Sequence, residues 1–385
     1  MLAAVSAMVA VSMSSCGGPT STARRPAPRS QKAASGPPWT GWLTNTLQNE
    51  LLPIDLATGK LGKPIRVGEA PQGIAISPNA RYAFVADSGW GGTYAPSYSV
   101  TPVNLVTHKA LPAIRAGFGP LMLATDAPLG RVYVVDMGAL KNGSFYHMVD
   151  GTTITPIDIA TMRPLAPIEV GRGPGAIAIA PDGREAVVTL AGTYYHPSHY
   201  AVIVNLETGR VTARIRVGEA PQGAVITPNG RWAFVSVTGW PPNPASSGSA
   251  GFSFTHTVVK ISLATNTVVA RIDVGKAPFS MVSSPGGRYV YVADSAWGVA
   301  GQHFAITPIE VATATPEPSF SLPAPPDALA ITRGGHWLEV SSTIDHHGEI
   351  ISLHVRGGKV VNSTYVDVGL ATGLLALTPL GSQSS

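Results

Sequence analysis

The sequence predicts an all-β protein, a seven-bladed β-propeller whose N-terminal strands pair with its C-terminal strand to close the ring. Three observations carry this reading. First, one phrase recurs seven times at a spacing of roughly fifty residues, the signature of a solenoid or propeller. The first copy reads RVGEAPQGIAISPNARYAFVAD (Arg66 to Asp87), and RVGEAPQGAVITPNGRWAFVSV (Arg216 to Val237) opens with the same letters 150 positions later. Further copies are centred on Gly119-Pro120, Gly173-Pro174, Ala277-Pro278, Pro325-Pro326 and Ala371-Thr372. Second, each unit reads as four short strands and contains no credible helix. Third, the chain begins with the three strands its last unit lacks.

Within a unit, a small apolar run such as GIAIS (Gly73 to Ser77) or DALAIT (Asp327 to Thr332) suits a buried inner strand. A turn follows, as at Pro181-Asp182-Gly183-Arg184 or Pro228-Asn229-Gly230-Arg231. Proline presets φ there, and Asn, Asp or Gly accept positive φ, so the turn is a tight hairpin. A β-branched and aromatic run such as RYVYVAD (Arg288 to Asp294) is the second strand. After a variable insertion come two more strand-like runs, as in AVIVNLETGRVTARIRVG (Ala201 to Gly218). The opening strands are GWLTN (Gly41 to Asn45), ELLPIDL (Glu50 to Leu56) and KPIRVG (Lys63 to Gly68), and the last inner strand is ATGLLALT (Ala371 to Thr378). Closing the ring with these removes the free edges that would invite aggregation.

Tyr289-Val290 and Tyr133-Val134, the turn Ile54-Asp55-Leu56-Ala57-Thr58-Gly59, and Val67-Gly68 with Pro71 and Gly73 resemble the repeat of the YVTN family of β-propeller proteins. The resemblance spans about residues 41 to 380. It implies the propeller fold and leaves activity open, because that family includes surface-layer proteins, cytochrome-linked subunits and lactonase-like relatives. Fold alone does not fix function.

Residues 1–16 read as an export signal, with an apolar core from Leu2 to Met13 and a lipobox-like Met13-Ser14-Ser15-Cys16. Cys16 is the single cysteine of 385 residues and stands where a lipid would be attached. Residues 17–39 read as a disordered Pro/Ser/Ala-rich tether, residues 40–380 as the propeller, and 381–385 as a disordered tail. The expectation is an extracytoplasmic monomer, anchored to a membrane only through a lipid on Cys16 or else secreted. Charged residues make up only 12% of the chain. The net charge of +4 equals the contribution of Arg24, Arg25, Arg29 and Lys32, which leaves 22 basic and 22 acidic residues in the propeller. That balance argues against nucleic acid as a partner of the folded part.

Six of the seven second-to-third strand insertions are long, and they share one face with the Val-Gly-x-x-Pro junctions between blades. Long loops on a rigid scaffold commonly carry function. These hold Trp90, Tyr94, Tyr146, Tyr194, Tyr195, Trp240 and Trp297, and His147, His196, His199, His256 and His303 in or beside them. Together they would form an aromatic-walled cleft with imidazoles at its mouth, the expected binding site. His196-x-x-His199, with Asp87 and Asp294 at equivalent strand ends, could offer ligands to a divalent metal. The same aspartates equally suit strand-closing turns. No haem-attachment, nucleophile-elbow, P-loop or EF-hand motif occurs, so no cofactor is specified. Two readings follow: a binding or scaffolding module for a protein, glycan or small molecule, and a lactonase-like hydrolase or lyase using funnel histidines and acids.

Overall fold

The computed structural model describes residues 37–89, 97–141, 144–193, 196–239, 254–295, 303–344, 347–370 and 373–379. They form seven small antiparallel sheets and, among the described residues, no helix. Blade 1 has its inner strand at Pro71–Ile76, its second at Tyr82–Asp87 and its third at Ser99–Asn104. The inner strands of blades 2 to 6 are Pro120–Asp126, Pro174–Ile179, Pro221–Ile226, Pro278–Ser283 and Pro326–Ile331. Blade 7 is composite: inner strand Leu375–Pro379 pairs with second strand Trp39–Asn45, and Glu50–Asp55 follows. The registers Trp39↔Pro379 and Leu43↔Leu375 show the ring closed as the sequence predicts. Trp42 Nε1 donates to Thr378 Oγ1 at 2.9 Å across this seam, inside the buried core.

The outer strands depart from the sequence reading in one respect. Lys63 to Gly68 is not continuous; the edge of blade 7 is split into Lys60–Leu61 and Ile65–Arg66. Blades 1, 2 and 5 are split in the same way, and Pro64, Pro112, Pro167 and Pro318 lie in the four gaps. Proline has no N–H for the ladder, so it interrupts an edge strand. The outer strands without it, Arg210–Arg216, Thr267–Asp273 and Lys359–Leu370, are unbroken.

Between blades the core is apolar and repetitive. The large side chains Trp42, Phe84, Tyr133, Phe234 and Tyr291 occupy one equivalent position and pack against the following blade. Blade 6 places Glu339 there instead, fully buried and accepting a 2.5 Å bond from Ser352 Oγ.

A register shift recurs near the start of the described inner strands, as between Pro71 and Ile74 or between Pro221 and Ala224. Such a bulge leaves one amide out of the ladder, and a buried amide must find a partner. In blades 3 and 4 a second-strand hydroxyl accepts it, Ala176 N–H to Thr189 at 2.9 Å and Gly223 N–H to Ser236 at 2.8 Å; in blade 7 Thr44 accepts in the same way from Leu374 N–H, just before the inner strand, at 2.8 Å. The same hydroxyls donate onward to the next inner strand, at the carbonyls of Gln222 (3.1 Å), Phe279 (2.9 Å) and Gln72 (2.8 Å). In blade 6, Ser341 Oγ reaches the Gly373 carbonyl at 3.1 Å. Each of these hydroxyls therefore ties its blade to the next. The glycine of the Pro-x-Gly motif allows the strands to approach: a Cβ on Gly73 would lie 2.2 Å from the Leu121 carbonyl, and one on Gly223 2.0 Å from that of Phe279.

Replacing Thr44 with Val removes one such tie at the closing blade and is expected to cost about 1–3 kcal/mol for each buried group left unpaired. Thr208→Val, in an exposed turn, is expected to change stability by less than about 0.5 kcal/mol. Thermal unfolding of the two variants side by side checks this.

Candidate functional site

The loop-bearing face is built on the junctions that join each outer strand to the next inner strand. In five junctions the residue before the inner-strand proline adopts a left-handed conformation: Ala70 (φ 47), Gly119 (φ 64), Gly173 (φ 58), Ala220 (φ 46) and Ala277 (φ 51). That turn aims the junction carbonyls at the roots of the long loops. Gly89 N–H donates to Glu69 O (3.1 Å), Gly138 N–H to Phe118 O (3.1 Å), Gly192 N–H to Gly173 O (3.2 Å) and Gly239 N–H to Glu219 O (3.3 Å). Each loop thus starts from a clamped position.

Asp87 and Asp294 end the second strands of blades 1 and 5, Asp136 holds the equivalent position within the longer blade 2 strand, and all three are fully buried. Asp87 accepts from Ser99 Oγ (2.9 Å), Thr101 Oγ1 (2.7 Å) and the Gly68 amide (3.0 Å). Asp136 accepts from Thr153 (2.7 Å) and Thr155 (2.6 Å), and Asp294 from Thr307 (2.5 Å). The junction glycine is dictated by this carboxylate. A Cβ on Gly68, Gly117 or Gly275 would come within 2.2 Å, 2.0 Å or 2.4 Å of the Asp side chain. Blades 3 and 4 carry Leu190 and Val237 at the same position, and these are the blades that use a hydroxyl tie one residue earlier. The three Asp blades have Ala86, Val135 and Ala293 there instead.

Burial pushes Asp87 up to about 6, against the opposing bonds from Thr101, Ser99 and Gly68. It pushes Asp136 and Asp294 up to about 7 and Glu339 up to about 8.

One junction position varies while its neighbours do not. The residue after Val-Gly or its equivalent is Glu69, Phe118, Arg172, Glu219 and Lys276 in successive junctions. Arg172 is exposed and the other four are half-buried. Phe118 packs on Tyr98 with ring centroids 5.4 Å apart, and the Arg115 guanidinium lies 5.2 Å over Tyr98. Glu219 Oε1 and Ser198 Oγ are buried atoms without a hydrogen-bond partner among the described residues. The backbone joins the two segments, with Ala220 N–H donating to Ser198 O at 2.8 Å. The sequence shows this ring only as a changing letter inside a constant phrase, and the duplicated Glu69 and Glu219 look there like repeat ancestry.

Of the residues expected at the site, Trp90, Tyr94, Tyr194, Tyr195, Trp240 and Trp297 lie outside the described residues, as does Cys16. Tyr146 and His147 are not in a loop: strands Arg131–Lys141 and Ser144–Asp158 continue the blade 2 ladder outward through Gly138↔Asp150 and Leu140↔Met148. His256 and His303 are exposed next to the third strands of blades 4 and 5. His196 is exposed in the tight blade 3 hairpin, where it exchanges backbone bonds with Thr193. His199 is half-buried in the following strand, its carbonyl accepting from the Val217 amide at 2.9 Å. His196 thus lies in the turn before strand Pro197–Asn205 and His199 within it, across a register shift between Leu190 and Gly192. Among the described residues no three His, Cys, Asp or Glu gather as metal ligands.

No protein-family model matches the chain, and no curated protein matches it by sequence. Solved structures of the same architecture do. Hydrazine synthase of Kuenenia stuttgartiensis matches at 18% identity and TM-score 0.65, over 92% of this chain and 100% of that one. The periplasmic gluconolactonase of Pseudomonas aeruginosa matches at 14% identity and TM-score 0.67, over 89% and 99%. A putative 6-phosphogluconolactonase of Bacteroides fragilis matches at 13% identity and TM-score 0.64, over 94% and 100%. These likenesses establish the class, a closed seven-bladed β-propeller, and at such identities they establish the fold alone.

The buried carboxyls give stability a definite pH dependence. Each binds its proton more tightly folded than unfolded. Its stabilising contribution is complete below the unfolded value of about 4 and is lost as pH climbs through the folded value. The melting temperature is therefore expected to fall between about pH 5 and about pH 8, and Asp136→Asn to flatten that fall. Calorimetry of both proteins across this range checks it.

Proposed function

We propose that this chain is an extracytoplasmic β-propeller that binds a partner or ligand through its loop-bearing face. One observation carries the reading. Within junctions whose glycine, left-handed residue and proline are set by packing, a single position changes from acid to aromatic to base around the mouth of the ring. Glu69, Phe118, Arg172, Glu219 and Lys276 give each junction a different chemistry on an otherwise constant frame, as a surface that reads a partner would. Glu219 Oε1 and Ser198 Oγ, lacking partners among the described residues, suit a ligand that donates hydrogen bonds. The clamped loop roots add pre-organisation, which lowers the entropy lost on binding. An extracytoplasmic site is supported by the apolar run Leu2 to Met13 with Cys16 behind it, and by the fold shared with a periplasmic protein.

A second reading has one observation in its favour, the fold shared with a gluconolactonase and a putative 6-phosphogluconolactonase. A lactone hydrolase on this face would draw on Glu219, His196, His199, His256 or His303 for proton transfer.

A thermal-shift screen of soluble glycans, peptides and lactones separates the two. A ligand at a hundred times its Kd stabilises the native state by about 2.7 kcal/mol. The binding reading expects a hit that raises the melting temperature of the wild type, is weakened by Glu219→Gln or Lys276→Ala, and is recovered unchanged. Recovery of a ring-opened lactone would put the hydrolase reading first. A hit insensitive to both substitutions would place the site elsewhere.

A further inference from the structure

The propeller is formally neutral, yet its charge is unevenly placed. The inner-to-second and third-to-outer turns all emerge on the face opposite the long loops. With the strand residues that flank them, these turns carry twelve of the propeller's 22 basic residues and seven of its 22 acidic ones. That face holds +5, and the rest of the propeller −5.

Six of the seven blades place an arginine in or directly after the inner-to-second turn: Arg81, Arg131, Arg184, Arg231, Arg288 and Arg333. All but Arg131 are exposed. Three are held over the aromatic that follows them, Arg81 on Tyr82 (6.0 Å), Arg231 on Trp232 (5.7 Å) and Arg288 on Tyr289 (5.2 Å). Arg288 also meets Glu310 at 3.4 Å. Arg81, Arg184, Arg231 and Arg333 form no ion pair among the described residues. Where the inner strands end on this face, Trp39, Ile76, Pro78, Ile331, Leu377 and Arg333 line a cavity of about 410 Å³.

We propose that the turn face docks on the surface of an anionic phospholipid bilayer and leaves the loop face pointing away from it. A ring of arginines spread over one broad face presents its charges to a plane at the same time. Each basic residue near an anionic surface strengthens binding roughly five-fold, an effect that salt screens. The proposal is independent of whether the loop face binds a ligand.

The test is co-sedimentation of the full chain carrying Cys16→Ser, so that no acyl group holds it, with vesicles of phosphatidylcholine alone or mixed with phosphatidylglycerol. Binding is expected only to the anionic vesicles and is expected to be lost in high salt. Arg184→Gln, Arg231→Gln, Arg288→Gln and Arg333→Gln combined are expected to weaken it by more than about 100-fold. If that variant does not melt cooperatively, the pair Arg231→Gln and Arg333→Gln serves, with roughly a 25-fold loss expected. Arg66→Gln with Arg216→Gln, on outer strands, is expected to leave binding unchanged. Failure to bind anionic vesicles, or binding indifferent to the ring substitutions, would overturn the proposal. So would duplex DNA or inorganic polyphosphate bound in solution as tightly as the vesicles.

Discussion

The architecture depends on how each blade meets the polar requirements of its inner strand. Seven wedge-shaped sheets must crowd their innermost strands around one axis, and a bulge near the start of the inner strand makes room. The bulge frees a buried amide, and buried polar groups must be paired. Thr44, Thr189 and Ser236 answer with a single hydroxyl that accepts from this amide and donates to the neighbouring blade. Asp87, Asp136 and Asp294 fasten the other end of the second strand, tying it to the third strand, with the junction glycine packed against the carboxylate. Ring closure adds nothing new in kind. Thr44 does at the composite blade what Thr189 and Ser236 do inside the chain.

This constraint separates what holds the ring from what the ring displays. Glycine, the left-handed residue and proline at each junction serve the frame. The side chain between them is the one that varies between acid, base and aromatic. The opposite face shows a different economy, since the same tight turn repeated blade after blade carries an arginine at nearly every copy. Repetition around an axis therefore converts one local sequence habit into a face-wide property, a varied ring on one side and a basic one on the other.

Much of the fold is legible in the sequence because its repeat is. The Val-Gly-x-x-Pro phrase, the Pro-Asp-Gly-type turns and the unmatched opening strands give blade count and closure directly. The split outer edges are written in Pro64, Pro112, Pro167 and Pro318, although the repeat template hides them by suggesting one unbroken run. Less of the site is legible. The His196-x-x-His199 spacing suggests a pair, but it cannot show that His196 belongs to the turn and His199 to the strand after it. Tyr146 and His147 look like loop residues because the blade 2 ladder extends beyond the length other blades teach one to expect. The charge of the turn face is invisible to a composition count, which sums to zero across two opposed faces.

The most direct measurement is amide hydrogen exchange on the full chain, resolved to single residues. The amides of Ala176, Gly223 and Leu374 belong to no strand ladder, yet side-chain hydroxyls hold them in the interior. They are expected to exchange as slowly as the second-strand ladder amides of Val187, Val235 and Leu43. Exchange at the rate of exposed turn amides, such as Thr208, would contradict the claim that these hydroxyls fasten the ring.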